Sequence, residues 1–394
     1  MSFWCRLKKR SCGEHPREQS RAATDQVGAV LEQEEQVGIL GSGVATVKVA
    51  QPIAVEEQTR VTNRLVCPVC GGADAARLFV SRDFQFKISG RFQVSRCVGC
   101  GLDRLDPMPS AEEIDAYYSR LDLYPYGLAR LGRLSRLKAL LGRHLVGALY
   151  GPRYGVARLL AGPMARLLRK RLLPLEPTGR TLFEVGAGNG AFLQSMQQLG
   201  WRVAGCELSR SGVDASRALG LAVDQGTLES GRYPSGSFDV LRLDQVFEHL
   251  HDPRGFLREA SRVVKPGGFL IIGVPNAEAA SYALFGRCWG LLGLPFHLFQ
   301  YSSRSLETLV TEAGFTVQWF RYIPMPVCWV WSLNNWVNER LGGHADRGVI
   351  NNRPIRLLAK CLWGPILRLF LLLAPRRAEV VMVYARRRPH QHEA

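Results

Sequence analysis

No run of this 394-residue sequence is apolar for long enough to cross a bilayer. The nearest approach, Ile366-Leu-Arg-Leu-Phe-Leu-Leu-Leu-Ala374, is interrupted by Arg368 and preceded by Arg356 and Lys360, short of the ~20 residues a span needs. A secretory leader is not expected either: Met1-Ser-Phe-Trp-Cys-Arg-Leu-Lys-Lys-Arg10 has charge with no apolar segment behind it. Internal repeats are absent, which excludes an array of stacked units. Ten cysteines are too few for a disulfide scaffold at this length, and four of them fall in two CxxC pairs. In an intracellular protein such pairs favour metal over disulfide, and a cytoplasmic location is expected. Acid is missing altogether from residues 128–171, which hold 11 Lys/Arg and no Asp or Glu. Residues 325–394 hold 11 against 4, whereas 181–324 are near neutral at 12 against 13. The formal charge of +17 therefore sits in two flanks, which suits an anionic partner, either membrane or nucleic acid.

What is present fits two to three domains, and a hydrophobic fraction of 46% excludes global disorder. Residues 1–62 are polar and without lasting periodicity, and are expected to be disordered or irregular. A cysteine-bearing module is expected at 63–119, a basic helical linker at 120–176 and a catalytic core at 177–326. A hydrophobic helical insertion should follow at 327–378, then a final core strand and basic tail at 379–394. From Thr181 strand and helix patterns alternate, with strands at 181–185, 202–206, 221–224, 238–243, 269–274, 315–322 and 379–385. Helices are expected at 190–199, 211–219, 253–264 and 304–313. This alternation predicts an α/β fold with a doubly wound, Rossmann-like parallel sheet.

In such a sheet the ligand lies beyond the carboxyl ends of the strands, where the winding reverses. The first strand ends at Glu184, and Gly186, Gly188 and Gly190 make the turn into the next helix. Glu207 ends the second strand, where a carboxylate can accept both hydroxyls of a ribose. The glycines alone leave two readings open, because Gly186-x-Gly188-x-x-Ala191 with Glu207 also satisfies a dinucleotide fingerprint for NAD. Glu184 favours the other reading. Two residues before the first glycine, a carboxylate suits a cationic sulfonium with an ammonium group and is ill placed beside a pyrophosphate.

Further along stand Phe238-Asp-Val, Val246-Phe-Glu-His-Leu250, Asp252-Pro253, Arg262-Val-Val-Lys-Pro-Gly-Gly268 and Val274-Pro-Asn276. Leu294-Pro-Phe-His-Leu298, Tyr301-Ser302 and Glu312-Ala-Gly-Phe315 complete the series. From Leu182 to about Pro324 the sequence resembles the class I S-adenosylmethionine-dependent methyltransferases. The branch is the one shared by ubiquinone-type O-methyltransferases and many bacterial envelope and sugar methyltransferases. The resemblance implies that Glu184 and the three glycines face the methionine part of the cofactor and that Glu207 holds its ribose. It places Gln225, Gly226, Thr227 and Leu228 by the adenine, with Asp244 and Gln245 closing the pocket. Relatives often have Gly-Asp where this chain has Gly226-Thr227, so the carboxylate contact to the adenine amine is in question, with Asp224 as a substitute.

Methyl transfer is an in-line displacement, so alignment of donor and acceptor carries most of the catalysis. A hydroxyl or an acidic carbon also needs a base, for which His249 and His297 are the candidates, each with a purely structural role as the alternative. Leu243-Asp-Gln-Val246 stands where enzymes acting on DNA base amines carry Asp/Asn-Pro-Pro-aromatic. Cys67-Pro-Val-Cys70 and Cys97-Val-Gly-Cys100, each followed by glycine, have the form of two knuckles able to share one structural zinc ion; a ribbon without metal is the alternative. The block from Cys67 to Tyr118, with Asp106-Pro-Met-Pro109 and Tyr117-Tyr118, resembles the N-terminal zinc module of sugar C-methyltransferases. Trp329, Trp331, Trp336 and Trp363 with the leucine run suit either a peripheral membrane segment or a helical pair packed on the sheet. The function expected is methylation of a hydroxyl or carbon on a sugar, glycan or lipid-linked small metabolite in bacterial envelope biosynthesis. A ribosomal RNA methyltransferase is the main alternative. A non-catalytic cofactor-binding partner and an NAD-dependent enzyme are further ones.

Overall fold

A computed structural model describes residues 66–86, 88–120, 179–198, 200–340, 370 and 373–389. The irregular segment expected at 1–62, the basic segment from 121 to 176 and residues 341–369 of the hydrophobic insertion lie outside the described residues.

The catalytic unit is built on a seven-stranded sheet. Its strands are β4 (Thr181–Val185), β5 (Arg202–Glu207), β6 (Val223–Gln225), β7 (Phe238–Asp244), β8 (Val264–Pro275), β10 (Phe315–Ile323) and β11 (Val380–Arg387). Their order is β10-β11-β8-β7-β4-β5-β6, which reverses at β4 and β7, the switch point of a doubly wound fold. β4 to β8 run parallel, and β11 is antiparallel to both β8 and β10. The expected α/β fold is thus found, with one difference. The last strand does not extend the parallel sheet at its edge but enters the gap between β8 and β10 in the opposite direction.

Alternation along the strands feeds two apolar layers. Phe183 and Val185 face one layer, with Phe256 and Leu257 of α4 (Pro253–Val263) and Leu306 and Leu309 of α6 (Ser303–Glu312). Leu182 faces the other, with Leu193 of α2 (Ala191–Gln198) and Val213 of α3 (Arg210–Ala218). Side chains of this size, fully withdrawn from water, contribute about 1.5–3 kcal/mol each. The helix starts follow from their caps: Ser209 accepts from Gly212 N, and Asp252 accepts from Gly255 N ahead of Pro253.

The cysteine segment forms β1 (Ala75–Ser81), β2 (Phe92–Cys97) and β3 (Asp103–Leu105), followed by α1 (Ala111–Arg120). Its antiparallel sheet takes a fourth strand, β9 (Phe299–Gln300), from the catalytic unit. The two parts also share the first apolar layer, which includes Cys67, Val94 and Leu105. Arg254 of α4 donates to the carbonyls of Pro68 and Val69. Asp103, 1% exposed, takes two bonds from Arg96 at 2.6 and 2.9 Å and one from the Tyr282 hydroxyl at 2.8 Å. Tyr282 belongs to α5 (Ala280–Phe285), so this bond crosses from module to core. Asp103→Ala leaves that buried hydroxyl unsatisfied and should lower unfolding stability by about 1.5–3 kcal/mol. Urea titration checks it, and a midpoint equal to that of the unaltered chain would rule out the bridge as a stabilising contact.

Candidate cofactor and acceptor site

The ends of β4 and β7 bring three charges to one corner. Arg242, 3% exposed, donates to Glu184 Oε1 through Nη1 and to Asp244 Oδ2 at 2.7 Å through Nη2. Its guanidinium lies over the Phe192 ring, 3.8 Å from the centroid. Two carboxylates against one guanidinium leave the corner with a surplus of negative charge.

Beyond Glu184 the chain reverses through Gly186, Gly188 and Gly190, all at positive φ. A Cβ on Gly186 would lie 2.5 Å from Val246 Cγ2, so a side chain there would collide with the turn that follows β7. That turn is itself held at an unusual angle, since Gln245 has φ 56° and its N–H is bound by Gly273 O at 2.8 Å. Glu207 grips the glycine loop, accepting from Gly188 N at 2.9 Å and from Ser209 N at 2.8 Å. Each of its oxygens keeps a second lone pair for a ribose hydroxyl. Gly226 N donates to the Glu207 backbone carbonyl at 3.0 Å, which places the segment Gln225, Gly226, Thr227 and the buried Leu228 beside the end of β5. Asp224, considered as a substitute contact to the adenine, accepts from the Tyr233 hydroxyl at 3.0 Å. Glu184, the glycine loop, Glu207, the 225–228 segment, Asp244 and Gln245 thus gather at the carboxyl ends of β4, β5, β6 and β7. A glycine-rich backbone cradle, a ribose-compatible carboxylate and a negative corner fit a nucleoside with a cationic tail. Gln245 Nε2 is buried with no hydrogen-bond partner among the described residues, which leaves a donor for such a ligand.

Next along the chain, Glu248, His249 and His297 stand with their polar atoms within 4.8 Å of one another. His249 Nδ1 lies 3.0 Å from Phe296 O, and His297 Nδ1 lies 3.0 Å from Leu291 O. A carbonyl only accepts, so each Nδ1 carries the hydrogen and each Nε2 presents a lone pair. Burial lowers the pKa of His249 to about 4 and that of His297 well below its ordinary value, with His249 adding to the effect. Burial also raises the Glu248 carboxyl well above the carboxylate range. The pair is therefore neutral, and a protonated Glu248 faces His297 Nε2 at 4.0 Å. Aromatic rings cover this end: Tyr118 of α1 and Phe86 of the module pack on Phe296 at 4.7 and 5.3 Å.

The four cysteine sulfurs also converge. Cys67 and Cys100 Sγ are 3.5 Å apart, Cys70 and Cys97 Sγ 3.4 Å, and all four lie within 4.8 Å. Zinc held by four thiolates at about 2.3 Å in tetrahedral geometry puts the sulfurs about 3.8 Å apart, so the set fits one ion. The two knuckles share one backbone pattern. Cys67 O accepts from Gly71 N and Cys97 O from Gly101 N, with both glycines at positive φ.

Arg242 and the buried Tyr301 hydroxyl near Glu248 escape a reading of the sequence. The signal for Arg242 is the one basic residue in β7, set between Leu241 and Leu243. Tyr301 stands in the Tyr301-Ser302 motif, but nothing local marks its hydroxyl as a neighbour of Glu248.

The topology and the glycine corner are those of a class I methyltransferase fold. Comparison with known proteins agrees: the family described as "Methyltransferase domain" matches residues 156–318. A ubiquinone biosynthesis O-methyltransferase of Xanthomonas axonopodis pv. citri is 32% identical over 117 residues, 28% of this chain and 49% of that protein. The protein of the same name from Cereibacter sphaeroides (strain KD131) is 29% identical over 174 residues, 41% of this chain and 70% of the relative. The match thus spans about half the length of the Xanthomonas relative. An S-adenosylmethionine dependent methyltransferase from Mesorhizobium loti superposes with a TM-score of 0.37 at 17% identity, covering 59% of this chain and 99% of that one. Residues 156–318 are thus similar to the methyltransferase domain family, and a segment with four converging cysteines precedes them.

The neutral state of His249 has a consequence for stability. The unfolded chain takes a proton on this residue below its ordinary value of 6.5, and the folded chain not until about 4. Stability should therefore fall as pH drops through that interval. His249→Gln should lose less stability there than the unaltered chain, read as urea midpoint against pH. Parallel curves would contradict the assignment of a neutral imidazole.

Proposed function

We propose that this chain transfers the methyl group of S-adenosylmethionine to a hydroxyl or carbon of a sugar, glycan or lipid-linked small metabolite. Glu184, Gly186, Gly188, Gly190, Glu207, Gln225, Gly226, Thr227, Leu228, Asp244 and Gln245 hold the cofactor. When bound, that cofactor supplies an electrophilic methyl on a sulfonium. The chain's own part is to bind it, align an acceptor in line with it and exclude water. The observation that carries this reading is the neutral imidazole pair, with Nε2 lone pairs, immediately after the turn that closes the cofactor corner. His249, with His297 beside it, accepts the acceptor's proton as the new bond forms. Relatives bearing the name ubiquinone biosynthesis O-methyltransferase favour oxygen over carbon and a lipid-linked acceptor over a free sugar.

One structural zinc on Cys67, Cys70, Cys97 and Cys100 keeps the module shaped beside the acceptor end. Among the described residues no helix is long and apolar enough to cross a membrane. Peripheral contact with an anionic membrane surface is supported by exposed Leu284, Phe370 and Leu373, with Arg376 and Arg377 adjacent in sequence. The second reading, ribosomal RNA as acceptor, rests on the acid-free segment 128–171.

Cofactor and acceptor are tested together. Calorimetry should detect S-adenosylmethionine and not NAD, and Glu207→Ala should weaken binding by about 1.5–3 kcal/mol. With tritium-labelled methyl donor, label should pass to a prenylated aromatic hydroxyl or a polyprenyl-linked sugar presented in anionic vesicles. Label in ribosomal RNA alone would move the conclusion to the second reading, and cofactor binding with no transfer to any acceptor would mark a non-catalytic partner. Metal analysis of freshly purified protein should find one zinc per chain, and less than about half an equivalent would count against the four-thiolate site.

A further inference from the structure

One strand of the catalytic sheet carries a buried guanidinium between two leucines. β7 reads Phe-Asp-Val-Leu-Arg-Leu-Asp, and its residues from Phe238 to Leu243 are all buried. Arg242 stands in register with Glu184 on β4 and with Ile271 on β8, within the second apolar layer and under the Phe192 ring. A guanidinium stays ionised in any such setting, and burying one is unfavourable unless partners surround it. Here the partners are the two carboxylates at the ends of adjacent strands, each receiving one arm of the fork. The neighbouring strand leaves room for this arrangement. A Cβ on Gly273 would lie 2.5 Å from Asp244 Oδ1 and 3.3 Å from Met382 Cε, so a side chain there would displace Asp244.

We propose that Arg242 is the positioning residue of the cofactor pocket, holding Glu184 and Asp244 ionised side by side so that the corner meets the cationic methyl donor with its charge already set. The inference rests on the reading that this corner takes S-adenosylmethionine. Without the guanidinium, two carboxylates confined to one buried corner share a proton, because like charges at that range disfavour double ionisation. A cationic ligand then favours release of that proton, and binding becomes linked to pH. With Arg242 in place each carboxylate already has one arm of the guanidinium as its partner when the donor arrives.

The test is calorimetry of S-adenosylmethionine binding to the full chain in two buffers of different ionisation enthalpy, which reads the protons exchanged on binding. The unaltered chain should exchange almost none through the corner between about pH 6 and 7. Arg242→Met should bind about tenfold or more weakly at the lower pH, recover as pH rises, and release a substantial fraction of a proton per ligand. Arg242→Met/Asp244→Asn, which leaves one carboxylate and no pair, should lose that pH linkage. If Arg242→Met is folded, by thermal melting, and binds with unaltered affinity and no proton release, the proposal is overturned. Should Arg242→Met fail to fold, the double variant decides: folded with pH-independent binding, it supports the proposal, and folded with proton release, it refutes it. Failure of the unaltered chain to bind S-adenosylmethionine would instead remove the cofactor reading itself.

Discussion

The closure of two chain reversals on one another is the constraint on which the rest of the site depends. The turn after β4 and the turn after β7 touch at Gly186 and Val246, with no space for one additional carbon between them. Because they touch, the carboxyl ends of the two central strands form a single wall with two sides. On one side lie the glycine loop, Glu207 and the 225–228 segment. On the other lie Glu248 and His249, a few residues along, with His297 brought beside them from the later chain. The glycine loop and the histidine pair are adjacent because Gly186 packs on the Val246 side chain and so holds their supports together, and the in-line displacement proposed above requires that adjacency.

The cysteine module has a comparable dependence on the core. Its sheet is completed by two residues of the catalytic chain, its apolar side chains belong to the core's larger layer, and its first knuckle is gripped by Arg254. Tyr118 and Phe86 then reach over Phe296 at the acceptor end. A part that reads as an appended module is physically one wall of the site.

Much of this was legible in the sequence, for identifiable reasons. The parallel strands and their helices could be read because buried strands, capped helices and glycine turns each leave a local pattern, as at Thr181–Val185, Asp252-Pro253 and Gly186–Gly190. The knuckles could be read because spacing and the following glycine fix their geometry. What escaped depends on distant partners. β9 is two residues long and exists only because β3 lies beside it. β11 has the composition of any buried strand, and nothing in Val-Val-Met-Val-Tyr-Ala reveals its direction. The protonation of His249 and His297 follows from carbonyls at Phe296 and Leu291 that no spacing rule would assign. Arg242 was in plain view within β7, but its meaning required knowing that Glu184 stands opposite.

The place of β11 bears on how the molecule is made. Both strands that flank it, β8 and β10, are complete before Val380 has been synthesised, because β10 ends at Ile323. Until Val380–Arg387 emerges, the facing edges of β8 and β10 offer unpaired amides and carbonyls across a slot one strand wide. Such edges recruit other extended chains. The nascent sheet therefore passes through a stage in which its hydrogen-bonding capacity outruns its own supply of strands.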